Sequence, residues 1–145
     1  MRRILIIDDD PSVRHAAQLL LECEGFEVVA AESGRSGLAA ARTKSFAAVI
    51  VDIFMPEMDG LETIKGLRAN DPNLRIIAVS GALVNGPAGP PDFLAMARKL
   101  WGVRTLHKPF RPSDLLQAIG DVLALPASQN PVLQDMPQAE RGALA

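Results

Sequence analysis

A chain of 145 residues, 48% apolar and 22% charged, is long enough to bury one substantial core and lies far from the composition of a disordered segment. Fifteen basic against seventeen acidic residues give a formal charge of -2, which argues against nucleic-acid binding driven by phosphate neutralisation. The single cysteine, Cys23, excludes an internal disulfide and a cysteine-rich metal site.

The chain opens MRRILIIDDD. Its apolar run is too short for the core of a signal peptide and leads into three aspartates, with no small-residue cleavage site. The same run, Ile4–Ile7, is expected to be a strand covered on both faces. Pro11 and Ser12 then open a helix with Val13, Ala17, Leu20 and Leu21 at helical spacing, and Gly25 ends it. Cys23 in this helix reads as a small, half-buried core residue. Glu27–Ala31 is a weaker strand, and Ser33 caps a helix to about Lys44 with a thin apolar face of Leu38 and Ala41.

Ala47–Ile53 is the clearest buried strand. After the turn MPEMDG, Leu61, Ile64 and Leu67 mark a third helix, stopped at Asn70-Asp71-Pro72. Leu74–Val79 is a fourth strand. The Gly- and Pro-rich stretch SGALVNGPAGPPD follows, and Pro91 opens a fourth helix carrying Phe93, Met96, Ala97 and Leu100 on one face. Val103–Leu106 is a fifth strand, and Leu116, Ile119, Val122 and Leu123 form the stripe of a fifth helix.

Strands alternating with helices imply parallel pairing, because parallel neighbours need a crossover connection. Five such units predict an α/β fold with an open, doubly wound parallel sheet; they are too few for an eight-fold barrel. The domain is expected to span residues 1–124. Residues 125–145 hold three prolines and no apolar period, and are expected to be a flexible tail or linker. No segment approaches the ~20 apolar residues of a membrane span, so a soluble cytoplasmic protein is expected.

Ligands of open parallel sheets bind beyond the carboxyl ends of the strands. At those ends this chain places Asp8-Asp9-Asp10, Asp52, Ser80 and Lys108. Clustered carboxylates repel one another and favour a compensating cation. Oxygen donors without His or Cys select a hard ion, and Mg²⁺ uses one or two carboxylates while keeping several waters. A carboxylate also attacks a phosphoryl group, with a metal, an ammonium and a hydroxyl stabilising the transferring oxygens. Asp10, before Pro11, reads instead as a helix N-cap.

ILIIDDDP, AAVIVDIFMPEMDG, IIAVSG and LHKPF, in that order, resemble the successive motifs of response regulator receiver domains of two-component systems. The resemblance runs from residue 2 to about 124. It implies a flavodoxin-like strand order of 2-1-3-4-5 and a cis Lys108–Pro109 bond. Asp52 would accept phosphate from a histidine kinase or histidine phosphotransfer protein, without the chain being a turnover enzyme. Asp9 would bind Mg²⁺ directly, Asp8 would do so through water, and Asp52 and the Phe54 main-chain carbonyl would complete the metal site. Ser80 and Lys108 would contact the phosphoryl group. A downstream protein would dock on the face of the fourth helix, fifth strand and fifth helix, with no nucleic-acid or membrane partner for this chain.

Three features depart from the family pattern. Thr105 stands where a switching aromatic is common, which excludes an aromatic-rotamer switch at that position. The stretch between Ser80 and Lys108 is longer than usual, so residues 83–91 are expected to be a neutral insertion, or else to cover the site or alter the face of the fourth helix that partners commonly use. Phe54 and Ala82 cannot orient an attacking water, which predicts slow hydrolysis of the acyl phosphate. His107 is expected to be exposed and inert, and His15 has no assigned role. The alternatives are a pseudo-receiver acting by phosphorylation-independent contacts and an aspartate-nucleophile phosphohydrolase; the latter needs a second acid where Phe54 stands.

Overall fold

The computed structural model describes residues 2–53, 60–80 and 102–124. The turn at 54–59, the loop at 81–91, the helix expected from Pro91 and the tail at 125–145 lie outside the described residues. In chain order the elements are β1 (Arg3–Ile7), α1 (Pro11–Cys23), β2 (Glu27–Ala31), α2 (Gly34–Thr43), β3 (Ala48–Asp52), α3 (Gly60–Asn70), β4 (Ile76–Ser80), β5 (Arg104–His107) and α4 (Pro112–Ala124). The last corresponds to the fifth helix expected from the sequence. No helix among the described residues is long and apolar enough to cross a membrane.

All five strands are parallel, in the order β2-β1-β3-β4-β5. Side chains alternate between the two faces of a strand, and the core divides accordingly. Leu5, Ile7, Val49, Val51, Ile76 and Ala78 meet Leu38, Ile64 and Leu67 of α2 and α3. Ile4, Ile6, Ala48, Ile50, Ile77 and Val79 meet Ala17 and Leu21 of α1 and Leu115, Ala118, Ile119 and Val122 of α4. Covering both faces explains the uninterrupted apolar runs Ile4–Ile7, Ala48–Val51 and Ile76–Val79 in β1, β3 and β4. Each fully buried Ile or Leu contributes about 1.5–3 kcal/mol relative to exposure.

Local chemistry sets the helix ends. Asp10, with extended backbone, accepts from the N–H groups of Ser12 (2.9 Å) and Val13 (3.4 Å), and Pro11 takes the first-turn position where no donor is needed. Gly25, at φ +91°, supplies the left-handed turn after α1. Ser33 and Ser36 form a reciprocal cap on α2.

The buried faces differ from expectation in two helices. Cys23 is exposed rather than half-buried; two residues past the buried Leu21, it lies about 200° around the helix. In α4 the buried set is Leu115, Ala118, Ile119 and Val122, while Leu116 and Leu123 are only partly buried. This set follows the i, i+3, i+4, i+7 spacing of one helical face, about 100° from the line through Leu116 and Leu123.

Candidate functional site

Strand register brings the acidic residues together. Ile7 pairs with both Ala31 and Val51, so Asp8 and Asp52 leave adjacent strands at one level. Asp52 is itself the last residue of β3 and pairs with Val79 of β4, followed by Ser80 at that strand's end. The Lys108 N–H donates to the Ser80 carbonyl at 2.7 Å, which draws the start of the β5–α4 connection to the same edge. The Lys108–Pro109 bond is cis, as the resemblance implied.

Carboxylate oxygens of Asp8, Asp9 and Asp52 all lie within 4.8 Å of one another. Asp8 and Asp52 are buried, at 4% and 6% exposure, as is Ser80 at 6%; Asp9 is exposed. Lys108 closes the cluster, its Nζ lying 2.9 Å from Asp8 Oδ2 and 3.3 Å from Asp52 Oδ2. Burial pushes the Lys108 ammonium down, but the hydrogen bond to Asp8 and the charges of Asp52 and Asp8 outweigh it and hold its pKa above the usual lysine value. The site therefore carries an internal cation fixed between two carboxylates. Three acidic oxygen donors without nitrogen or sulfur suit a hard divalent ion such as Mg²⁺, so the donor set fits the metal that the sequence implied.

Asp8 is held on every side. Its N–H donates to the Ala31 carbonyl (3.1 Å), its Oδ1 accepts from the Asp10 N–H (2.9 Å), and its carbonyl accepts from Arg14 Nη1 (2.8 Å). Gly60 secures the other side. Its N–H donates to the Ile53 carbonyl at 2.7 Å, and a Cβ there would stand 2.3 Å from Ile53 Cα and 2.4 Å from the Asp52 carbonyl oxygen. Only glycine lets the first turn of α3 close back on the strand end that carries Asp52.

Asp8, Asp9, Asp52, Ser80 and Lys108 thus gather at one sheet edge, as expected from the sequence. The Phe54 carbonyl falls outside the described residues, as does Ala82. Thr105 lies half-buried in β5 opposite Ala78. His107 and His15 are both exposed. Arg14 and the close approach of Gly60 were not singled out by the sequence. The signal for Gly60 was its place in the MPEMDG turn; that for Arg14 was a long basic side chain one turn into a helix, where side chains lean back toward the N-terminus. Beside the site, an apolar cleft of about 450 Å³ separates α1 from the β5–α4 connection, lined by Val13, Ala16, Leu20, Pro109, Phe110 and Leu115 among others.

The family model for the response regulator receiver domain matches residues 4–120. Among curated proteins, the chain is similar to the response regulator receiver protein CpdR of Brucella abortus, with 32% identity over 85% of this chain and 98% of that protein. It is also similar to the putative positive transcription regulator BvgA of Bordetella pertussis, with 42% identity over 54% of this chain; the match spans 38% of that longer protein. Among solved structures, a CheY-like receiver domain protein from Methanospirillum hungatei superposes with a TM-score of 0.76 at 30% identity, covering 85% of this chain and 94% of the other. The chemotaxis protein CheY4 of Vibrio cholerae gives 0.73 at 30% identity, covering 84% and 98%.

Proposed function

The chain belongs to the response regulator receiver domain family of two-component signalling, and from that premise we propose that Asp52 accepts a phosphoryl group from the phosphohistidine of a histidine kinase or histidine phosphotransfer protein. The observation that carries this reading is the Asp8–Asp9–Asp52 cluster bridged by the Lys108 ammonium. A carboxylate oxygen of Asp52 attacks phosphorus, the P–N bond to the donor imidazole breaks, and the imidazole leaves with the electron pair and takes up a proton. Asp8 and Asp9, with Asp52 and the Phe54 carbonyl, would hold Mg²⁺, which supplies charge neutralisation at the transferring oxygens.

Lys108 is already charged and desolvated beside Asp52, so it needs little reorganisation to pair with a phosphoryl oxygen. Ser80, buried at the adjacent strand end, donates its hydroxyl to another. When Lys108 and Ser80 shift to the phosphoryl group, the Asp8–Lys108 pair and the β4–β5 edge shift with them. That movement carries the signal to a protein docked on β5, α4 and the helix expected from Pro91. With Thr105 in β5, the route does not use an aromatic rotamer. The module acts in the cytoplasm, and its aspartyl phosphate hydrolyses slowly, because neither Phe54 nor Ala82 can orient water.

Incubation with Mg²⁺ and acetyl phosphate should give an acid-stable, base-labile phosphoryl adduct on wild type and none on D52N. Equal labelling of the two proteins would contradict the assignment. Absence of Mg²⁺-dependent labelling in the wild type would favour a phosphorylation-independent interaction module.

A further inference from the structure

The three carboxylates of the cluster are not held alike. The Asp8 side chain accepts from the Asp10 N–H and pairs with Lys108, and the Asp52 side chain also pairs with Lys108. Asp9 is exposed, and among the described residues its side chain takes part in no hydrogen bond or ion pair. Its position therefore depends on its own backbone. The peptide plane that leads into Asp9 contains the Asp8 carbonyl, and that carbonyl accepts a 2.8 Å hydrogen bond from Arg14 Nη1.

Arg14 is half-buried on the first turns of α1. Although several carboxylates stand nearby in sequence, it forms no ion pair among the described residues, and its guanidinium donates instead to a main-chain oxygen. A guanidinium spent on a carbonyl fixes geometry, and it supplies little charge pairing. We propose that Arg14 is a positioning residue: by clamping the Asp8–Asp9 peptide plane it sets the direction in which Asp9 presents its carboxylate to the metal. This inference rests on the proposed Mg²⁺-dependent reading of the site.

Charge alone makes the opposite prediction. Removing a cation near three carboxylates should strengthen binding of another cation, whereas removing a clamp should weaken it. Calorimetric titration of the whole chain with Mg²⁺ decides between them. R14A is expected to bind Mg²⁺ about tenfold more weakly, as for loss of a residue that orients a metal ligand. R14K, which keeps a donor for the same carbonyl, should recover most of the affinity. Labelling of R14A by acetyl phosphate should return to the wild-type rate at saturating Mg²⁺, and its melting temperature in metal-free buffer should match that of R14K.

Unchanged or tighter Mg²⁺ binding by R14A would overturn the proposal. So would an R14A labelling rate that stays low at saturating Mg²⁺, or an R14K protein as weak as R14A. If the wild type itself neither binds Mg²⁺ nor takes up phosphate, the reading of the whole site fails, and the inference falls with it.

Discussion

The two faces of the sheet are packed to different ends. On the α2/α3 face the helices press directly on the strands and on each other. A Cβ on Gly37 would stand 2.3 Å from Ile7 Cδ1, one on Gly66 would stand 2.9 Å from Leu38 Cδ2, and Asn70 Nδ2 donates to the Ala41 carbonyl at 3.3 Å. On the α1/α4 face an apolar cleft opens between α1 and the β5–α4 connection, Val13 and Leu20 are only partly buried, and Leu19 is 50% exposed. The site draws on both: Gly60 anchors Asp52 from the tight side, while Lys108 borders the cleft. One face thus fixes the strand end that carries Asp52 through Gly60, and the other leaves an open apolar cleft beside Lys108.

If that division holds, substitutions at the tight helix–sheet contacts of the α2/α3 face cost stability, and those on the exposed side of α1, away from the buried Leu21, cost little. I64A, which empties a fully buried position between α3 and the sheet, should lose about 2–5 kcal/mol in urea unfolding. A loss near zero would break the comparison. G60A should cost about 1–3 kcal/mol, because backbone atoms of Asp52 and Ile53 have to give way. It should also slow phosphorylation by acetyl phosphate, whereas I64A, while still folded, should not.

Lys108 gives a smaller effect with a defined sign. Its pKa is raised in the folded chain, so its contribution to stability is complete below the unfolded value of 10.5 and is lost as pH rises through the folded value. The stability gap between wild type and K108M should therefore be constant from neutral pH to about pH 9.5 and narrow above about pH 10.5. A gap that widened there would contradict the paired ammonium. L19A, on the open face, should change stability by less than about 0.5 kcal/mol. A loss above ~1 kcal/mol in the same assay would mean that the exposed face is not open.

Much of this layout was legible in the residues themselves. β3 reads as a buried strand because five consecutive apolar or β-branched residues precede Asp52, and Asp10-Pro11 announces a capped helix. Asking what each strand delivers to one edge was enough to collect Asp8, Asp9, Asp52, Ser80 and Lys108. The order of the strands came from family resemblance, since periodicity alone does not order a parallel sheet. Helix phase was harder to read. In α4 adjacent leucines at 115 and 116 both fit a stripe, and only the packed core, which buries Leu115 fully and Leu116 in part, selects the first. Cys23 sits in an apolar stretch, yet it faces outward because Ala17 and Leu21 fix the phase of α1. The unequal burial of Asp8 and Asp9 and the Arg14 clamp arise from contacts between elements, which spacing along the chain does not encode.

Mapping the phosphorylated residue tests the central claim most directly. After labelling with acetyl phosphate and Mg²⁺, borohydride reduction converts an aspartyl phosphate to homoserine, which peptide mass spectrometry locates. Homoserine is expected at position 52 and nowhere else. Homoserine at position 8 or 9, or phosphate retained on His15 or His107, would contradict it.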